Sequence, residues 1–267
     1  MNKIVDDALR LNLESVVFSG GGEPLANKYT LLTIEKIFDS KLNTKTALNT
    51  NGYLLEDASK IDYLRVSVDA GTKKTYKNIH GVDGFERVTE NIKNSNHNEL
   101  GLAFLISNDN WFELEEFCEW AQQFNYTFLH IRPAWLDAEY MHGAKELKEK
   151  MHEIEQIGDS LQKMYRDIYF KVDKFDGYWT PKLYSKCRAS VLKAVINADG
   201  KFSVCQDNFI KFGDYNTQDF DDIWFSEDHY DAIDKIKLEE CPRCVEAGYN
   251  EILENCFVED NLRWKLV

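Results

Sequence analysis

The chain has 267 residues, 43% hydrophobic and 13% aromatic, enough to bury one large domain and a smaller one. Its net charge of −14 argues against a broad nucleic-acid or anionic-membrane surface, because both partners need basic faces. No apolar run approaches ~18 residues and the N-terminus lacks an apolar signal core. The sequence therefore predicts a cytoplasmic protein whose six cysteines are thiols or metal ligands rather than disulfides.

In chain order, SVVFSG reads as a strand and KYTLLTIEKIFDS as a helix with Leu31, Leu32, Ile34 and Ile37 on its apolar side. KTALNTNG is a second strand, followed by a short helical EDASK. IDYLRVSVDAG is a third strand, and one helix is expected from about Lys73 to Asn91. ELGLAFLIS is a fourth strand, NWFELEEFCEWAQQF a helix and YTFLHIRP a fifth strand. Strands alternating with helices imply a parallel sheet covered by helices, and the nearly continuous apolar runs suit strands buried on both faces. After Pro133 a long or broken charged helix is expected over residues 137–167. LKAVINADGKFSVCQD then reads as a hairpin turning at Asp199-Gly200. A domain boundary is placed near residue 180.

The strand SVVF runs into Gly20, Gly21 and Gly22, then Glu23 and Pro24. Bare backbone at the carboxyl end of a parallel strand lets a ligand approach the main chain closely. A phosphate loop needs Gly-Lys-Ser/Thr and the dinucleotide fingerprint needs G-x-G-x-x-G; neither is present. Glu23 repels phosphate and suits a cationic group such as an ammonium, and Pro24 stiffens the exit from the loop. The plain alternative is a glycine-rich turn carrying a solvent-facing acid.

Four cysteines cluster late in the chain. Cys187 is separated by twelve residues from Gly200, which is separated by four more from Cys205; Cys241 and Cys244 form a C-x-x-C. On spacing alone a Cys₄ zinc site and an iron–sulfur site are equally open. Cys118 lies in an amphipathic helix and reads as core, as does Cys256.

In this order the residues resemble the radical S-adenosylmethionine (radical SAM) superfamily. The GGGEP stretch is similar to the loop that holds the cofactor's amino and carboxylate groups there. LNTNG (Asn49 to Gly52), LRVSVDAG, FLISNDN and HIRP resemble the following strand ends. The resemblance implies an incomplete (β/α)₆ barrel of TIM type lacking its first strand, over residues 1–180. It implies cofactor contacts from Gly20, Gly21, Gly22, Glu23, Pro24, Asn49, Ser67, Asp69, Asn110 and Arg132. The C-x(9–15)-G-x4-C element and the C-x-x-C resemble the auxiliary-cluster domain called SPASM. Asn250 stands where its next cysteine would fall, which points to the shortened Twitch form over residues 181–267. Cys187, Cys205, Cys241 and Cys244 would then hold one auxiliary [4Fe–4S] cluster.

The family's radical-generating cluster needs a C-x3-C-x2-C loop, and no cysteine precedes Cys118. A fragment or internal start, a second polypeptide that supplies the loop, and loss of the chemistry are the three explanations. The retained Glu23, Ser67, Asp69 and four late cysteines favour the first. The expected activity is radical modification or oxidation of a small molecule or peptide, fed by an electron-donor protein. Trp135, Tyr140 and Trp179 are candidate substrate linings. The other reading is a non-catalytic binding or accessory protein stapled by zinc or a structural cluster.

Overall fold

The computed structural model describes residues 2–40, 43–134, 147, 149–170, 182–206, 210–241, 244 and 246–257. Trp135, Tyr140 and Trp179 lie outside them. The chain divides into two compact units, Met1–Phe175 and Asp176–Val267.

The first unit holds six parallel strands: β1 (Ser15–Phe18), β2 (Lys45–Thr50), β3 (Tyr63–Ser67), β4 (Glu99–Ile106), β5 (Phe128–Pro133) and β6 (Ile168–Phe170). Its helices are α1 (Asn2–Arg10), α2 (Thr30–Asp39), α3 (Lys73–His80), α4 (Phe85–Asn94), α5 (Leu114–Ala121) and α6 (Met151–Met164). The strands neighbour one another in chain order without reversal. That is the winding of a barrel; a doubly wound sheet reverses at a switch point. One alternate set of strand residues, including Leu48, Leu64, Val66, Leu102 and Ile131, is fully buried and packs in one core with Ile34, Val88, Ile92 and Phe117 from the helices. Each such side chain contributes roughly 1.5–3 kcal/mol of burial. The opposite set, Asn49, Arg65, Ser67, His130 and Arg132, is only half-buried and forms the other face of the sheet. Lower on that face Tyr63 lies over Gly101, whose missing side chain makes room for it, and stacks on Phe128 with centroids 5.5 Å apart.

Two expectations are corrected. EDASK is a loop, not a helix: the Asp57 carboxylate accepts from the backbone N–H and hydroxyl of Ser59, a local turn that competes with helical bonding. The single helix from Lys73 is two, α3 and α4, because Gly81 takes φ +70° and caps α3 by donating its N–H to the Lys77 carbonyl. Within the charged segment after Pro133 the described residues form α6, in line with the expected helix, and β6 follows it, a strand too short for its alternation to be seen in the sequence.

In the second unit, β7 (Val195–Ile196), β8 (Lys201–Ser203) and β9 (Lys211–Asp214) form an antiparallel sheet, so the expected hairpin gains a third strand. Gly200 carries the turn with φ +78°, and a Cβ there would meet the Asn216 side chain at 2.2 Å. Helices α7 (Phe220–Trp224), α8 (Glu227–Asp234) and α9 (Ala247–Phe257) complete the unit. Phe202 is fully buried beneath the rings of Phe212, Tyr215 and Phe220.

Candidate functional site

At the carboxyl end of β1 the chain opens a groove of about 350 Å³, lined among others by Ser19, Gly22, Glu23, Asn49, Arg65 and Ser67. That volume is at the lower end for small-molecule sites. Gly21 and Gly22 need not be glycine for the fold. An added Cβ meets nothing within 4 Å at either, and neither has a positive φ. At Gly22, which lines the groove, the missing side chain leaves the backbone bare. Glu23 is the fixed point of the corner. Its Oε1 accepts from Leu25 N (3.0 Å) and Thr50 Oγ1 (2.6 Å), and its Oε2 accepts from Asn51 N (2.8 Å). It thereby caps the short 3₁₀ turn Pro24–Ala26 and ties the β1 loop to the end of β2. Pro24 begins that turn, and its carbonyl accepts from Thr30 Oγ1. A carboxylate has about four acceptor positions, so Glu23 keeps capacity for one more donor. Thr50 was not foreseen; its hydroxyl gives to Glu23 and takes from Gly52 N.

Asn49, Arg65 and Ser67 project from the inner face into this groove. Asn49 and Arg65 are register partners across β2 and β3, and Ser67 is two residues further along β3. Arg65 was missed in the sequence. The available signal was a charged residue at an inward position of an otherwise apolar strand.

Asp69 sits just past β3 in the left-handed region, φ +58°. It is 8% exposed, and its Oδ1 accepts from Leu105 N at 2.7 Å. Burial pushes its carboxyl up to about 6, opposed by the Leu105 N–H and by the charges of His80, Arg132 and Arg65. His80 Nε2 lies 3.9 Å from Asp69 Oδ2 and 2.9 Å from the Val68 carbonyl. Asn110 is fully buried. Its Nδ2 donates to the carbonyls of Asp69 (2.8 Å) and Leu105 (2.9 Å), and its Oδ1 accepts from Ser107 N (2.6 Å). Both amide hydrogens are committed, so the expected cofactor contact at Asn110 would have to break one of these bonds. Arg132 pairs in register with Leu105. Glu113, also unforeseen, is buried and accepts from Gly71 N, Thr72 N and the hydroxyls of Thr72 and Thr75, holding the start of α3.

In the second unit, α9 clamps the segment that bears Cys187. Asn250 is fully buried; its Oδ1 accepts from Arg188 N (2.6 Å) and Ala189 N (2.9 Å). Its Nδ2 lies 3.9 Å from Cys187 Sγ and 3.7 Å from Cys244 Sγ. Glu254 accepts from Ser185 N and Oγ and from Arg188 Nε, bonds that lower its pKa, the Ser185 hydroxyl foremost. Lys182 donates to the carbonyls of Leu238 (2.7 Å) and Cys241 (3.0 Å). Burial, then the thiols of Cys244, Cys187 and Cys241, push the Tyr184 phenol strongly upward. Two of the four expected ligands, Cys187 and Cys244, thus meet at Asn250. Cys205 follows β8 and packs with Val204, Ala232 and Ile233. Among the described residues no three Cys, His, Asp or Glu side chains stand at metal-binding separation. Cys118 is core, its thiol pushed up to about 12 by burial, and Cys256 is half-buried.

Residues 1–121 match the radical SAM superfamily, and residues 187–245 match an iron-sulfur cluster-binding domain, SPASM. A probable GTP 3′,8-cyclase of Saccharolobus islandicus is 27% identical over 230 residues, 76% of this chain and 71% of its own. Its counterpart in Metallosphaera sedula is 25% identical over 218 residues, covering 74% and 67%. Among solved structures, native anSMEcpe with bound AdoMet and Kp18Cys peptide superposes with a TM-score of 0.61 at 16% identity, over 93% of this chain and 78% of that one. Streptococcus suis SuiB bound to precursor peptide SuiA superposes with a TM-score of 0.63 at 15% identity, over 88% and 59%. At such identities these two likenesses establish a shared fold.

Proposed function

We propose, for a chain that belongs to the radical SAM superfamily and carries an iron–sulfur cluster-binding domain, that the groove at the end of β1 holds S-adenosylmethionine for radical modification of a small molecule. S-adenosylmethionine and [4Fe–4S] clusters are the cofactors that these two domains imply. Bound there and given one electron by a reduced [4Fe–4S] cluster, S-adenosylmethionine would supply radical hydrogen abstraction.

The observation that carries the proposal is the glycine corner. Gly22 presents bare backbone to the groove that neither conformation nor packing demands, beside a carboxylate with one acceptor position to spare. That combination fits the α-amino end of the cofactor, with Glu23 taking its ammonium. Asn49 and Ser67 stand on the inner wall for the remainder of the molecule. Cys187, Cys241 and Cys244, with Cys205, are the residues that would hold the auxiliary cluster. Thiolates suit iron–sulfur chemistry, and Asn250 stands against two of them, Cys187 and Cys244. The residues present do not fit the radical-generating cluster. In residues 1–121 the sole cysteine is Cys118, and it is sealed in the core.

A small molecule is favoured over a peptide because the sequence relatives are named as nucleotide cyclases, whereas the peptide-bound structures share the fold alone. The test is calorimetric titration of the anaerobically purified full chain with S-adenosylmethionine, alongside metal analysis. Saturable binding that weakens about tenfold in Glu23→Gln, and about four iron and four sulfide per chain, support the reading. Zinc in place of iron together with no S-adenosylmethionine binding overturns it in favour of a metal-stapled binding protein.

A further inference from the structure

The chain carries 46 acidic side chains against 32 basic ones, so a cation rarely lacks a partner. Lys45 pairs with Asp62, Lys60 with Glu35, Arg188 with Glu254 and Lys201 with Asp214. Arg65 departs from this pattern. It makes no hydrogen bond or ion pair among the described residues, and its Nε is buried without a partner. Burial lowers its pKa, yet a guanidinium remains charged in a protein. Cutting its Nε off from water carries a cost that the attraction of the Asp69 carboxylate offsets only in part.

The two carboxylates nearest the groove do not supply the missing partner. Glu23 is taken up by Leu25, Thr50 and Asn51, and Asp69 by Leu105 N with His80 beside it. Two neutral groups share the condition of Arg65. The Asn49 amide, its register partner, and the Ser67 hydroxyl, two residues along the same face, also make no side-chain hydrogen bond among the described residues. Three adjacent polar side chains, all lining one groove and all unbonded, form a donor set without an acceptor. Guanidinium, amide and hydroxyl together match the oxygens of a carboxylate or phosphate, which a guanidinium grips through two parallel N–H bonds.

We infer that Arg65, with Asn49 and Ser67, is the anion-recognition point of the groove and takes a carboxylate or phosphate group of the bound molecule. The inference rests on the proposed function in that the groove is the ligand site. The anion has two possible sources, the amino-acid carboxylate of S-adenosylmethionine or an acidic group of the substrate.

The test titrates the full chain and its Arg65→Met and Arg65→Lys variants with three probes. These are S-adenosylmethionine, 5′-methylthioadenosine, which lacks the amino-acid end, and inorganic pyrophosphate. If Arg65 holds the cofactor, Arg65→Met weakens S-adenosylmethionine about 10- to 100-fold and leaves methylthioadenosine within about twofold. If it holds the substrate, S-adenosylmethionine is unaffected and pyrophosphate binding is lost. In both cases Arg65→Lys retains an intermediate affinity. Arg65→Met also melts at or above the wild-type temperature, since it relieves an unpaired charge; a structural arginine would lower it. Should Arg65→Met fail to fold, the unpaired-charge argument is wrong and the Lys variant decides the binding question. Wild-type binding of S-adenosylmethionine and of pyrophosphate that are both unchanged in the folded variants overturns the inference and leaves the groove as the ligand site. Failure of the wild-type chain to bind any of the three overturns both.

Discussion

The groove of the first unit and the cysteine region of the second use buried polar side chains in opposite ways. In the groove, the groups that face the open space, Asn49, Arg65 and Ser67, are unbonded, while Glu23, Asp69, Asn110 and Glu113 spend their capacity holding the loops around it. In the cysteine region the bonded groups reach the candidate ligands themselves: Asn250 approaches two thiols and Lys182 holds the carbonyl of a third cysteine. The difference teaches what each region awaits. A groove with unmet donors selects a molecule that brings acceptors. A clamp with satisfied polar groups positions thiols and leaves the choice of metal to them.

The comparison breaks most sharply at Asn250. Asn250→Leu strands the N–H groups of Arg188 and Ala189 in a buried site, at about 1–3 kcal/mol each. It should lower the melting temperature of the second unit and its iron content together, read by thermal denaturation and metal analysis. Unchanged values would mean that α9 does not hold the Cys187 segment.

Next in size is Asp69→Asn. The native carboxyl is pushed up to about 6, above the unfolded value, so between roughly pH 4 and 6 the native state binds the extra proton. Wild-type stability therefore falls as pH rises through that window, and the cost is complete above it. The amide keeps an acceptor for Leu105 N and carries no charge. Urea unfolding at neutral pH should show a gain of up to about 3 kcal/mol, vanishing below about pH 4. An equal gain at all pH values would refute the burial argument.

Thr50→Val has a smaller expected effect. It removes one bond to Glu23 and the acceptor for Gly52 N, costing about 1–2 kcal/mol in chemical denaturation. It should also weaken S-adenosylmethionine binding, because Glu23 loses the partner that fixes it. The smallest stability effect is the most informative for function. Gly22→Ala places a methyl in open space at an ordinary φ, so stability should stay within about 0.5 kcal/mol while S-adenosylmethionine affinity falls severalfold. A variant that loses stability but binds normally would turn the glycines back into a plain turn.

The sheet was legible where chemistry is local. VVF, TALNT, LRVS and LAFLI are apolar runs with turn residues at their ends, and their alternation with helices implies parallel pairing. The EDASK segment was misread because composition permits a helix there, and only the bonds from Asp57 to Ser59 show that the turn wins. Gly81 was the visible break between α3 and α4, yet a glycine inside a periodic pattern is ambiguous until its φ is known. Of the site, the glycine corner and the cysteine spacing were readable as motifs, since both need particular residue types at fixed intervals.

What the sequence determined by itself is the order of strands and helices, the bare corner at residues 20–24 and the four late thiols, all set by residue type and short spacing. The tertiary structure alone decided which polar groups are spoken for. Glu23 meets Thr50 and Asn51 across 27 and 28 residues, Asn110 meets Asp69 across 41, and Asn250 meets Cys187 across 63. A buried donor or acceptor takes whatever partner the fold brings to it, and separation along the chain says nothing of that distance. For the same reason Arg65 is one charged residue among many in the sequence, and an unpaired cation only once the sheet has formed around it.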